Sequence, residues 1–141
     1  MSASPMMRVL EWVAALVGAA NCVIVPLLFA QPGGRDFPLP GLYFIEIVAV
    51  GVLVAIFVAL RPRLSPRWNA IPWIAAGIIL TFVILGGFSI GLYLIPAAIA
   101  FAVTGLLIDA QTVGVRAAHL GVLFLTAVIQ GAVVLGLTLI A

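Results

Sequence analysis

The chain has 141 residues, of which 66% are hydrophobic and 7% charged, with a mean hydropathy of +1.41 and a net charge of +2. A soluble domain of this length needs far more polar surface to cover its core, so the composition excludes one and implies an integral membrane protein folded as a single domain over 1–141. Its positive charge comes from six Arg spread over several loops, which form no nucleic-acid patch but suit the setting of orientation and contact with anionic lipid headgroups.

The first apolar run covers residues 12–30, with Arg8 and Glu11 before it and "QPGGRD" after it. About 20 helical residues cross a hydrocarbon core of roughly 30 Å, so this run predicts one crossing. Cleavage as a signal peptide after "LFA" is the competing reading; Leu28 and Pro26 suit it poorly, and a retained helix is expected. A lipoprotein signal at "AANC" fails because Asn21 precedes Cys22. The lone Cys22 permits no internal disulfide. Asn21 lies near the midplane of this helix, and Pro26 frees a backbone carbonyl close to it.

The second run covers 41–60, between "FPLP" and "RPRLSPR". Glu46 falls about 7 Å along it from its outer end, deep enough for an unpaired carboxylate to resist ionisation. It is either a protonatable gate, or a side chain that reaches water or pairs with Arg35. The following segment, 61–69, carries Arg61, Arg63 and Arg67 among two Pro that are expected to hold it extended. These three arginines are candidates for anchoring on lipid or docking a partner.

Residues 71–108 contain no charge. As one straight helix they would measure about 57 Å, nearly twice the hydrocarbon thickness. The stretch "GGFSIGLYLIP" resolves this as a hairpin between crossings at 71–87 and 91–108. Gly86 and Gly87 are expected to take positive φ and end one helix, Ser89 to cap the next, and Pro96 to fall early in it. Thr81 then lies near the midplane of the third helix.

The fifth crossing is expected over 118–140, after a loop holding Asp109 and Arg116. His119 opens it; one His holds no b-type haem within one chain. The sequence offers no Cys or carboxylate cluster for a metal, and no cofactor is expected. Gln130 lies near the midplane, with Thr126 one turn away on the same face.

Five crossings with the N-terminus inside and the C-terminus outside put Arg8, Arg61, Arg63, Arg67 and Arg116 on the inner side and leave Arg35, beside Asp36, outside. Trp12, Trp68 and Trp73 would line the inner interface, and Tyr43 and Tyr93 the outer one. Small residues recur every three or four positions: Ala14, Gly18 and Cys22; Gly51, Ala55 and Ala59; Ala98, Ala102 and Gly105; Ala127 and Gly131. Such faces let helices approach closely.

Asn21, Thr81 and Gln130 at the midplane either bond one another and the backbone to help helices pack, or form a polar transport site together with Glu46. The expected function is therefore a non-enzymatic membrane protein acting by helix packing, as an accessory subunit or homo-oligomer whose partners are lipid and other membrane subunits or itself. The alternative is a small carrier or channel. A membrane enzyme lacks a nucleophile or an acid–base pair facing a common pocket.

The segment "GGFSIGLYLIPAAIAFAVTGLL", after a helix opened by "IPWIAAG", resembles small uncharacterised bacterial polytopic membrane proteins over about 41–140. The resemblance implies a bacterial cytoplasmic-membrane location and carries over no functional residue.

Overall fold

The structure, a computed structural model, describes residues 4–30, 39–87, 89–112 and 117–140. Among these lie five α-helices: α1 Pro5–Phe29, α2 Leu39–Leu60, α3 Ile71–Leu85, α4 Gly91–Thr112 and α5 Ala117–Ile140. Five spans are long and apolar enough to cross a membrane, and the chain is a polytopic helical membrane bundle. Arg35, Asp36 and Arg116 lie outside the described residues.

Local chemistry moves several boundaries. Helix α1 starts at Pro5, not at residue 12, because Ser4 accepts a hydrogen bond from the Met7 amide (3.3 Å) and Pro5 sits where a missing N–H costs nothing. Arg8 and Glu11 are therefore helical, not part of a leading segment. Helix α4 runs to Thr112, so Asp109 is a helix residue and not a loop residue. Pro96 lies inside α4, past its first turn, and is exposed to the surroundings of the bundle.

The segment after α2 is wound, not extended. It forms two 3₁₀ turns, Arg61–Arg63 and Pro66–Ala70, each with a Pro at its start. The second turn completes the third crossing. The 15 residues of α3 reach only about 22 Å, and the five residues before it add about 10 Å at the 3₁₀ rise.

The hairpin between α3 and α4 forms as expected, but for a different reason. Gly86 ends α3 at φ −97° and ψ 18°, a conformation open to any residue. Its amide bonds the Phe82 carbonyl at 2.9 Å, and its carbonyl accepts from the amides of Ser89 and Gly91, both at 2.8 Å. The Ser89 hydroxyl also donates to that carbonyl (3.4 Å) instead of capping α4. What demands glycine is crowding: a Cβ on Gly91 would lie 2.5–2.6 Å from the Gly86 carbonyl group and the Val83 oxygen, which are backbone atoms that cannot turn aside. Gly91→Ala is expected to open the hairpin at a cost of about 1–3 kcal/mol. Unfolding in mixed detergent micelles checks this, and Gly87→Ala, whose Cβ would meet its nearest neighbours at 3.4 Å, is the tolerant comparison.

Helix α4 packs between α1 and α3, α2 flanks α1, and α3 carries α5 on its other side; α2 leans lightly on α3. Lipid is as apolar as Leu, so what holds these helices together is close fit. Glycine provides it. Gly18 lies under the Phe101 ring, Gly51 against Cys22 and Ala19, Gly105 against Trp73, and Gly77 against the Leu123 carbonyl. Most of the small-residue faces are thus used within the chain. Trp73 is 1% exposed and belongs to the core, not to an interfacial belt, whereas Trp12 and Trp68 are exposed at the same end of the bundle. Tyr93 is exposed at the hairpin end, its ring tilted against that of Phe29 at 5.2 Å between centroids.

Helix α5 is the exception to this tight packing. Only Leu123 and Val134 are buried along it, and a Cβ on Gly121 or Gly136 would meet nothing within 4 Å.

Candidate functional site

Polar side chains gather in two places. The larger cluster lies at the end of the bundle where α1 begins and α4 finishes. Glu11, one helical turn after Arg8, is 3% exposed. Its carboxylate accepts from Arg61 Nη1, in an ion pair, and from Gln111 Nε2 at 3.2 Å. The Gln111 amide also donates to the Leu107 carbonyl at 2.9 Å, which fixes the rotamer that reaches Glu11. One buried carboxylate therefore ties together α1, the turn after α2, and α4. A charge taken out of water must be paired and hydrogen-bonded, and this one is.

Beside it, Asn69 is buried and donates to Thr112 Oγ1 at 3.4 Å, while Thr112 donates to the Ile108 carbonyl at 3.1 Å. Arg8, Arg61, Asn69, Gln111, Thr112 and Pro66 line an open cavity of about 420 Å³. On the far side of α4, Asp109 is 1% exposed and lies 2.7 Å from His119 Nδ1, joining α4 to α5. The Trp73 ring covers this pair, with its centroid 6.3 Å from that of His119.

The second cluster lies within the membrane-spanning zone. Gln130 Nε2 on α5 donates to Glu46 Oε1 on α2 at 2.6 Å. Thr81 donates to the Ala127 carbonyl of α5 at 2.8 Å and to the Gly77 carbonyl of its own helix at 3.2 Å. Glu46, Thr81 and Gln130 thus join three helices. Asn21 does not enter this group: it lies on α1, and its Oδ1 is buried without a hydrogen-bond partner among the described residues. Glu46 and the three midplane candidates therefore do not all line one site.

Of the three docking arginines, Arg61 is engaged by Glu11. Arg63 and Arg67 are exposed, and the Arg67 guanidinium lies 5.8 Å from the centre of the Trp68 ring. Glu11 and Gln111 escaped recognition from the sequence. The "SP" at residues 4–5 was the available signal for Glu11, since a helix capped there already holds Glu11 at the end of its second turn. Among the described residues no three His, Cys, Asp or Glu side chains converge as a metal site would require.

Gln130→Leu leaves Glu46 without its donor inside the membrane zone and is expected to cost about 1–3 kcal/mol. Glu46→Gln, which can still accept from Gln130, is expected to cost less. Unfolding free energies of both variants in mixed micelles check this, and parity of Gln130→Leu with the parent would mean that Glu46 draws no stability from the bridge.

Comparison with protein-family models, curated proteins and solved structures finds no match to this chain.

Proposed function

We propose that the chain is a non-enzymatic subunit of a bacterial cytoplasmic membrane that acts by packing against another membrane helix, from a second copy or a different protein. Helix α5 supplies the face. The observation that carries this reading is the lopsided packing of α5. Its main contact is with α3, its Gly121 and Gly136 border open space, and Phe124, Leu125 and Val128 are 61–70% exposed. The other helices use their glycines to fit one another, whereas α5 has glycines to spare on its outer side. Glycines on such a face let a further helix come close.

Orientation follows from charge. Arg8, Arg61, Arg63 and Arg67 share one end of the bundle, and the positive-inside rule puts that end in the cytoplasm, with the N-terminus inside and the C-terminus outside. A carrier would need its polar midplane groups around a common space. Here Thr81 is bonded to two backbone carbonyls, Gln130 to Glu46, and Asn21 lies on a different helix. Engagement of this kind favours packing over transport.

The test is cross-linking in native membranes, with Cys22 replaced by Ala and single cysteines introduced at Val128 on α5 or at Ile99 on α4, both exposed. The proposal predicts a discrete adduct from Val128→Cys and little from Ile99→Cys. Equal yields, or none from α5, would contradict it.

A further inference from the structure

The cavity at the arginine-rich end is more than a gap between helices. It measures about 420 Å³, within the roughly 300–1,000 Å³ typical of small-ligand sites. Three separate parts of the chain build it: the first turn of α1, the turns between α2 and α3, and the last turn of α4. Its charge is unbalanced. Two guanidiniums, Arg8 and Arg61, border it, and the one carboxylate bonded to them is Glu11, which takes Arg61 alone. The Arg61 side chain is 16% exposed and pinned by Glu11 through Nη1, which leaves its other N–H groups free of that bond. Arg8 is exposed and makes no ion pair among the described residues. Asn69 and Thr112 add an amide and a hydroxyl to the wall. Gln111 lines it as well, held by Glu11 and the Leu107 carbonyl through its nitrogen; its Oε1 has no donor among the described residues and is buried away from the cavity surface. Leu64, Pro62 and Pro66 add an apolar part to the lining.

We propose that this cavity binds an anionic phosphate ester. The phosphate lies between Arg8 and the free edge of Arg61, with Asn69 and Thr112 on the wall beside it. Guanidinium is the side chain best shaped for phosphate oxygens, and a pre-positioned guanidinium loses little freedom on binding. The Glu11 pair acts here as a positioning device, because it holds Arg61 extended across the cavity instead of letting it swing into water. The same chemistry is offered by the headgroup of an anionic glycerophospholipid, entering from the bilayer, and by a free phosphate ester entering from the aqueous phase. This site is independent of α5 and of the packing role proposed above.

The full-length protein in neutral detergent would be titrated with phosphatidylglycerol, with phosphatidylcholine and with glycerol 3-phosphate, and bound ligand read by native mass spectrometry. Saturable one-to-one binding of phosphatidylglycerol that glycerol 3-phosphate does not displace identifies a lipid site; displacement identifies a site for the free ester. Arg8→Ala is expected to weaken binding about tenfold and Arg8→Glu to abolish it, as loss of a charge-assisted contact implies. Arg8 is exposed, so neither change should disturb the fold, and an unchanged unfolding midpoint verifies that. Arg35→Ala and Arg35→Glu, in the sequence between α1 and α2, make the same changes in net charge and should leave affinity within about twofold. Binding that falls equally with Arg8 and Arg35 variants, or no saturable binding of any of the three probes, would overturn the proposal.

Discussion

Replacing Arg61 with Ala is expected to destabilise the protein by about 3–5 kcal/mol, the usual cost of stripping one partner from a buried ion pair. Glu11 would keep the Gln111 amide at 3.2 Å, but a neutral amide does not balance a carboxylate that is 3% exposed. The reverse change, Glu11→Ala, is expected to cost less, since the 16% exposure of the Arg61 side chain gives it a route toward water. The double variant should lie well short of the sum of the two, because removing both charges leaves neither uncompensated. Unfolding free energies of the four proteins in mixed detergent micelles supply the cycle. A single loss near zero would mean that the pair is solvated like a surface bridge and does not hold α1, the turn after α2, and α4 together.

The second large effect is at Gly77. A Cβ there would lie 2.4 Å from the Leu123 carbonyl oxygen and 3.0 Å from Thr126 Cβ on α5. The nearest of these is backbone, so relief requires α5 itself to move. Gly77→Ala is expected to cost about 1–3 kcal/mol, and Gly77→Val more, because the hydrogen bond from Thr81 to the Ala127 carbonyl lies one turn along and is pulled apart with it. Since α3 is the main support of α5, the outcome should be a detached α5 rather than general loosening. Gly121→Ala is the matched comparison. It has open space around it, so the gain in helix propensity should leave stability unchanged or raise it by up to about 1 kcal/mol. Protease or cysteine accessibility along α5 separates detachment from global unfolding. Equal behaviour of the Gly77 and Gly121 variants would show that α5 does not depend on close approach to α3.

The crossings were legible because lipid imposes one rule over long windows: about twenty apolar residues, then a polar break. That rule found five spans and required the chain to double back within 71–108. It failed at the ends, where hydropathy is silent and caps decide. Trp12 looked like the start of α1, yet Ser4 and Pro5 set it seven residues earlier. Asp109 looked like loop because it is charged, yet its pairing with His119 lets it stay buried inside α4. The polar site was legible only as a set of residues at similar depth. Periodicity along one helix carries no information about its rotation relative to its neighbours. Glu46 could therefore be assigned a depth but not its partner Gln130, which comes from a helix 84 positions away. The same blindness hid the role of glycine: Gly86 and Gly87 were recognisable as a turn, but the backbone contact that requires glycine at 91 belongs to the folded hairpin.

The claim on which the rest depends is that the chain turns back at Gly86–Gly91, which places Ser4 and Ser65 on one side of the membrane and Ser89 on the other. With Cys22 replaced by Ala, single cysteines at 4, 65 and 89 would be treated with a membrane-impermeant maleimide in intact cells and in inverted vesicles. Labelling of position 89 from the outside, and of positions 4 and 65 only from the inside, is the predicted result. A cysteine at 89 that is shielded from both sides, or that reacts from the same side as 65, would contradict the fold and with it every depth assigned beyond α3.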